Sequence, residues 1–202
     1  MKIIGLTGQS GAGKGEACRI LERQDIPTID TDAVYHTLLL TDDKLTAELC
    51  AAFGSDLLTN GRIDRKKLAA CVFGKPDSDK RLHTLNAITH KYIMAKAWAM
   101  AEAHRRNGAR AVVIDAPLLF EAHLEKDCDL LLAILSKKEL RLSRIMARDG
   151  ISSAEAERRI AAQKSDEFYR AHCHYILENN EDTASLECQI HRFLKESGLG
   201  LS

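Results

Sequence analysis

The stretch Gly8-Gln9-Ser10-Gly11-Ala12-Gly13-Lys14-Gly15 decides how this chain is read. It follows a short apolar run at residues 2–6. It precedes a segment in which Ala17, Ile20 and Leu21 recur at helical spacing. A glycine-rich turn between a strand and a helix lets backbone N–H groups converge on an anion. The helix N-terminus adds partial positive charge, and a lysine at its start can reach the outer phosphates of a nucleotide. Gly8, Gly11, Ala12, Gly13, Lys14, Gly15 and Glu16 are therefore the expected phosphate-binding residues. One position departs from the motif. A serine or threonine hydroxyl usually follows the lysine and ligates Mg²⁺, whereas Gly15 and Glu16 stand here. Phosphate binding is expected, and direct hydroxyl ligation of magnesium is not.

Working outward, Thr28 and Ile29 read as a second short strand. The unbroken apolar runs 111–114 and 130–135 read as parallel strands covered on both faces. A weaker strand is expected at 174–177 and a closing amphipathic helix at 186–194. Residues 42–106 read as mostly helix, punctuated by Gly54, Gly61 and the turn Gly74-Lys75-Pro76. Strands alternating with helices imply an α/β layered fold around a parallel sheet.

Composition limits the function classes. The chain has 202 residues, 45% of them apolar and 29% charged, which suits one globular domain. Basic and acidic residues number 29 each, so no global positive field invites nucleic acid. The apolar run 130–135 is far short of the roughly 20 residues a membrane span needs, and no signal-peptide stretch precedes the glycine loop. The six cysteines are scattered without a C-x-x-C pair, as in a reduced, cytoplasmic protein.

Three further groups bear on chemistry. Asp30 and Asp32 follow the second strand; Asp30 is assigned to the N-cap of a helix over 33–40 and Asp32 to catalysis, as a carboxylate that accepts the proton of an attacking hydroxyl. Asp115 ends the run 111–114, at the edge where ligands of parallel sheets bind, and resembles the acid that holds Mg²⁺ through water in phosphate-loop enzymes. Between 137 and 170 the bases outnumber the acids. Arg144 and Arg148, four residues apart, share a helix face and suit a phosphate clamp on a closing lid. Ser152 and Glu155 form a capping box for the next helix. His172-Cys173-His174 is an incomplete metal set and reads better as a strand end with a buried cysteine. Met94, Trp98 and Met100 read as packing in an alanine-rich helix.

The chain resembles the dephospho-coenzyme A kinase family along nearly its whole length. The matching blocks are Gly5-Leu6-Thr7-Gly8 and Ile29-Asp30-Thr31-Asp32, then Asn86-Ala87-Ile88-Thr89-His90. They continue with Val113-Ile114-Asp115-Ala116-Pro117-Leu118-Leu119-Phe120-Glu121 and Arg144-Ile145-Met146-Ala147-Arg148-Asp149-Gly150. Arg159-Ile160-Ala161-Ala162-Gln163 and Asn179 complete the set. The resemblance implies an ATP- and Mg²⁺-dependent kinase that phosphorylates the ribose 3′-hydroxyl of dephospho-coenzyme A. It also implies a P-loop NTPase three-layer fold with a parallel five-stranded sheet. The implied core is 1–40, 107–140 and 172–202, with a helical substrate-binding region at 41–106 and a lid at 141–171.

Carried onto this sequence, Asp32 becomes the general base and Lys14 the ligand of the β- and γ-phosphates. Arg144 and Arg148 become lid residues, and Asn179 joins the nucleotide-binding set. Asp32, His90, Pro117, Leu118 and Glu121 face the acceptor. A monomer or small homo-oligomer is expected. Besides Gly15-Glu16 there are two departures: Lys91 stands where the family usually has proline, and Arg141 where it usually has glutamine. These leave two alternatives, a kinase with another acceptor and a nucleotide-binding homologue without catalysis.

Overall fold

The computed structural model describes residues 1–200. In chain order its elements are β1 (Lys2–Gly8), α1 (Lys14–Arg23), β2 (Thr28–Asp30), α2 (Thr31–Thr41) and α3 (Asp43–Phe53), then β3 (Leu58–Thr59), β4 (Arg62–Ile63), α4 (Arg65–Val72) and α5 (Ser78–Arg106). The second half holds β5 (Ala111–Asp115), β6 (Leu130–Leu135), α6 (Lys138–Asp149), α7 (Ser153–Ala161), α8 (Asp166–His172), β7 (Tyr175–Glu178) and α9 (Thr183–Glu196).

Five strands form one sheet in the order β2-β5-β1-β6-β7, and β1 pairs in parallel with both β5 and β6. The chain leaves β1 toward the β5 side and leaves β6 toward β7. The order of winding therefore reverses between β1 and β6, and ligands of such sheets bind beyond the carboxyl ends of the strands at that point. The fold is the expected three-layer α/β arrangement with a parallel five-stranded sheet.

The alternation of strand side chains divides the core. Ile4, Leu6, Leu132 and Ile134 pack with Ile20, Leu21, Ile190, Phe193 and Leu194 of α1 and α9. Ala133 and Leu135 point the other way, to Tyr169, Phe168 and Phe120. Burial on both faces explains why β5 and β6 read as unbroken apolar runs.

Several boundaries differ from the sequence expectation. β1 runs on to Gly8 because Thr7 and Gly8 pair with Ala133 and Ile134 of β6. The last strand starts at Tyr175; the His174 ring nitrogen Nδ1 instead accepts the Leu131 N–H at 2.9 Å. α9 begins at Thr183, capped by Asp182 accepting from Ser185 N, so the apolar positions marked only its buried face. The hairpin β3–β4 lies within the stretch read as mostly helix. Its strands are two residues each, too short to show alternation, although Asn60 and Gly61, with φ of 52° and 76°, form the Asn-Gly turn such hairpins favour.

By compactness the chain divides into Met1–Ile29 with the residues from Ala103 on, and Asp30–Glu102. The first unit holds the sheet helices and the glycine loop. The second contains α2, α3, the hairpin, α4 and α5 up to Glu102, and buries Leu38, Leu39, Leu45, Leu49, Leu57, Ile63, Leu68 and Val72. No helix among the described residues is long and apolar enough to cross a membrane.

Candidate active site

The glycine loop lies at the carboxyl end of β1, and α1 starts at Lys14. Gly13 is the N-cap residue with φ 99° and ψ 28°, a left-handed conformation that any Cβ would strain. Gly8 is equally constrained: a Cβ there would lie 2.2 Å from the Ile134 carbonyl oxygen.

Three consecutive loop carbonyls are held by side chains from distant elements. Arg141 Nε donates to Ser10 O at 3.1 Å, Arg144 Nη1 to Gly11 O at 3.3 Å, and Asn179 Nδ2 to Ala12 O at 2.9 Å. Ala12 N donates to Gln9 O and Ser10 N to Gln163 Oε1, each at 3.1 Å, so an anion here would be met by the remaining loop amides and the start of α1. Arg144 Nη1 also donates to Ser136 Oγ and Asn179 O, both at 3.2 Å, which fixes it against the loop. Arg141 is only 4% exposed. Burial pushes its guanidinium down, and the charge of Asp166 opposes that.

The two clamp arginines behave differently. Arg144 grips the loop, whereas Arg148 is exposed and bound to its neighbour, with Nε 2.7 Å from Asp149 Oδ1 and Nη2 2.9 Å from Oδ2. Arg159 holds the same carboxylate at 2.6 Å. Hydrogen bonds from Arg148 lead the effects that keep Asp149 below the usual carboxylate range. The capping box of Ser152 and Glu155 opens α7 as its sequence implied.

Asp115 ends β5 in register with Leu6 of the loop strand. The Cys18 thiol, one turn into α1 from Lys14, donates to its Oδ2 at 3.7 Å. Burial, then the Asp115 charge, push that thiol up, so it remains a protonated donor. The donor set for magnesium thus contains a carboxylate beside the loop and no hydroxyl at positions 15 and 16. It fits a cation held through water. Glu16 is paired with Arg19, whose Nε lies 2.9 Å from Glu16 Oε2, so the extra carboxylate has an ion-pair partner within its own helix.

After β5, Pro117 is half-buried, Leu118 is 51% exposed, and Glu121 pairs with Lys164 at 3.3 Å. The Lys164 ammonium also lies 4.3 Å from the Phe168 ring centre.

In the other unit, Asp30 caps α2 as read from sequence, accepting from Asp32 N at 2.8 Å and Ala33 N at 3.0 Å, and Asp32 occupies the first helical turn. His90 is half-buried on α5, and burial holds its ring below the usual histidine range. Lys91 binds Glu48, which also accepts from the Tyr92 hydroxyl at 2.7 Å.

The His-Cys-His segment divides: His172 Nδ1 pairs with Phe168 O at 2.7 Å while His174 faces Leu131. No group of three metal-binding side chains occurs among the described residues. All six cysteines are free.

Gln9, Gln163 and Cys18 were not assigned roles by spacing. Their partners lie on elements far along the chain, and no local pattern signals such bonds. Gln163 ends the run 159–163 that resembles the family.

The dephospho-CoA kinase family model matches residues 2–185. The dephospho-CoA kinase of Geobacter metallireducens is 36% identical over 197 residues, 97% of this chain and 96% of the relative. That of Paramagnetospirillum magneticum is 39% identical over 82% of this chain and 76% of its own length. A crystal structure from Thermus thermophilus superposes with a TM-score of 0.79 at 32% identity, covering 96% and 97% of the two chains. A dephospho-CoA kinase from Campylobacter jejuni shares the fold, with a TM-score of 0.62 at 23% identity over 96% of each chain. The chain belongs to the dephospho-CoA kinase family.

Proposed function

We propose that this chain transfers the γ-phosphoryl group of ATP to the ribose 3′-hydroxyl of dephospho-coenzyme A. The observation that carries the reading is the family match across residues 2–185, which takes in the loop, Asp32, His90, Asp115 and Asn179. As a member of that family the chain is an ATP-dependent phosphotransferase with an alcohol acceptor.

The Gly11 and Gly13 amides, the amides at the start of α1 and the Lys14 ammonium hold the β- and γ-phosphates. The acceptor 3′-oxygen attacks the γ-phosphorus, and the bond from that phosphorus to the β-bridging oxygen breaks to release ADP. The hydroxyl proton passes to the Asp32 carboxylate, which lies two residues past the end of β2. Asp115 would hold magnesium through water, and the ion would supply neutralisation of phosphate charge. Arg144 and Asn179 act by shaping the loop. Arg148 reaches phosphate only after leaving Asp149. His90, Pro117, Leu118 and Glu121 serve the acceptor.

The six free cysteines support a cytoplasmic setting, and the zero formal net charge supports a small-molecule partner over nucleic acid. We place the protein as a monomer or small homo-oligomer.

Phosphorus NMR of the product tests the regiochemistry. A new monoester resonance coupled to the ribose 3′-proton is expected; a product phosphorylated elsewhere would overturn it.

A further inference from the structure

We propose that Gln163 is a positioning residue that latches the segment after α7 onto the phosphate loop, with Arg141 fixing its orientation. The proposal rests on the reading that this loop binds nucleotide. Gln163 Oε1 accepts from Ser10 N at 3.1 Å and from Arg141 Nη2 at 3.0 Å. Both partners can only donate, so the amide carbonyl must face them. Arg141 Nε returns to Ser10 O at 3.1 Å. The two side chains therefore bracket the N–H and the C=O of one loop residue.

The neighbouring residue strengthens the joint. Gln9, 3% exposed, donates through Nε2 to Asp166 Oδ1 at 2.7 Å and to Lys164 O at 3.3 Å. The segment 163–166 thus holds Gln9 and Ser10 together. A cation as buried as Arg141 is retained only where its bonds are met, and the bonds it makes here are to Ser10 and Gln163.

Two consequences follow. The Ser10 N–H is engaged by Gln163 and does not serve phosphate. The inward aim of the later loop amides depends on a side chain whose carbonyl is held by Ser10 and Arg141.

The experiment measures ADP affinity by calorimetry, with Mg²⁺, for the natural protein and for Gln163→Met, Gln163→Asn, Gln163→Glu and Lys14→Ala, alongside thermal melting. Methionine keeps the volume and removes the acceptor. Asparagine withdraws the acceptor by one methylene, so the test stands even should the methionine variant not fold. Glutamate keeps an acceptor oxygen toward Ser10 and Arg141. Gln163→Met and Gln163→Asn are expected to weaken ADP binding about tenfold, the effect of one lost hydrogen bond to the binding element. Gln163→Glu should stay within about twofold with melting little changed, whereas Gln163→Met and Gln163→Asn should also melt lower because the buried Arg141 loses an acceptor. Natural affinity in the asparagine variant, or equal loss in the glutamate and asparagine variants, would overturn the latch. Natural affinity in Lys14→Ala would instead overturn the reading of the loop as the nucleotide site.

Discussion

Asn179 Nδ2 stands 2.9 Å from the Ala12 carbonyl oxygen, and it would lie 2.1 Å from a Cβ placed on Gly13. A residue just past the last strand of the sheet thus sets the shape of a loop that begins at the end of the first. Its backbone is held in turn, because Asn179 N donates to Leu135 O at 2.9 Å. The phosphate loop is therefore built from both ends of the chain.

Asn179→Ala should lower stability by about 1–3 kcal/mol, since it leaves a carbonyl of the fully buried Ala12 without its donor. Urea unfolding monitored by circular dichroism checks this. A change below about 0.5 kcal/mol, the range of an ordinary surface substitution, would show that water replaces the amide.

Alanine substitutions at two loop glycines should diverge. A Cβ at Gly13 meets Asn179 and a left-handed backbone, whereas a Cβ at Gly15 meets nothing within 4 Å. Gly13→Ala should destabilise by about 1–2 kcal/mol or more and abolish tight ADP binding. Gly15→Ala should stabilise by up to about 0.5–1 kcal/mol through helix propensity. Paired melting curves read the difference; equal shifts would contradict the geometry.

Asp32→Asn keeps the shape of the side chain and removes the base. Turnover should fall about 10²–10⁴-fold while the affinity for ATP changes little. Steady-state kinetics with a parallel binding titration separates the two, and an unchanged turnover removes Asp32 from proton transfer.

Acidification should act through His90. Burial holds its pKa below the unfolded value of about 6.5, so the unfolded chain takes up the proton first as pH falls. The stability that His90 contributes is present above that value and is lost as pH drops through it. His90→Gln should therefore flatten the decline in unfolding free energy between about pH 7.5 and pH 5. Parallel denaturation series at the two values test it, and identical declines would show that His90 does not couple protonation to folding.

Much of this architecture was legible because it is local. The glycine loop, the apolar runs of β5 and β6, the Asp30 cap and the capping box at Ser152 each announce themselves within a few residues. What spacing did not disclose is long-range. Arg141 and Arg144 both read as members of a basic helical segment, yet they grip Ser10 and Gly11, more than a hundred residues earlier. Their role follows from α6 packing beside the loop, which periodicity does not encode. Likewise, Arg144 and Arg148 share a helical spacing but differ in partners, because Asp149 lies next to one of them and Ser136 beside the other.

Turnover is expected of this chain although Gly15 and Glu16 replace the usual hydroxyl. The Glu16–Arg19 pair bears on it, because a cation already faces the carboxylate on its own helix. The most direct measurement is coupled ADP release with purified protein, ATP, saturating Mg²⁺ and dephospho-coenzyme A, run beside AMP and adenosine as acceptors and repeated on a Gly15→Ser, Glu16→Thr double variant. Turnover by the natural protein with dephospho-coenzyme A should lie well above that with either alternative. Absence of turnover in the natural protein, with turnover appearing in the double variant, would contradict it.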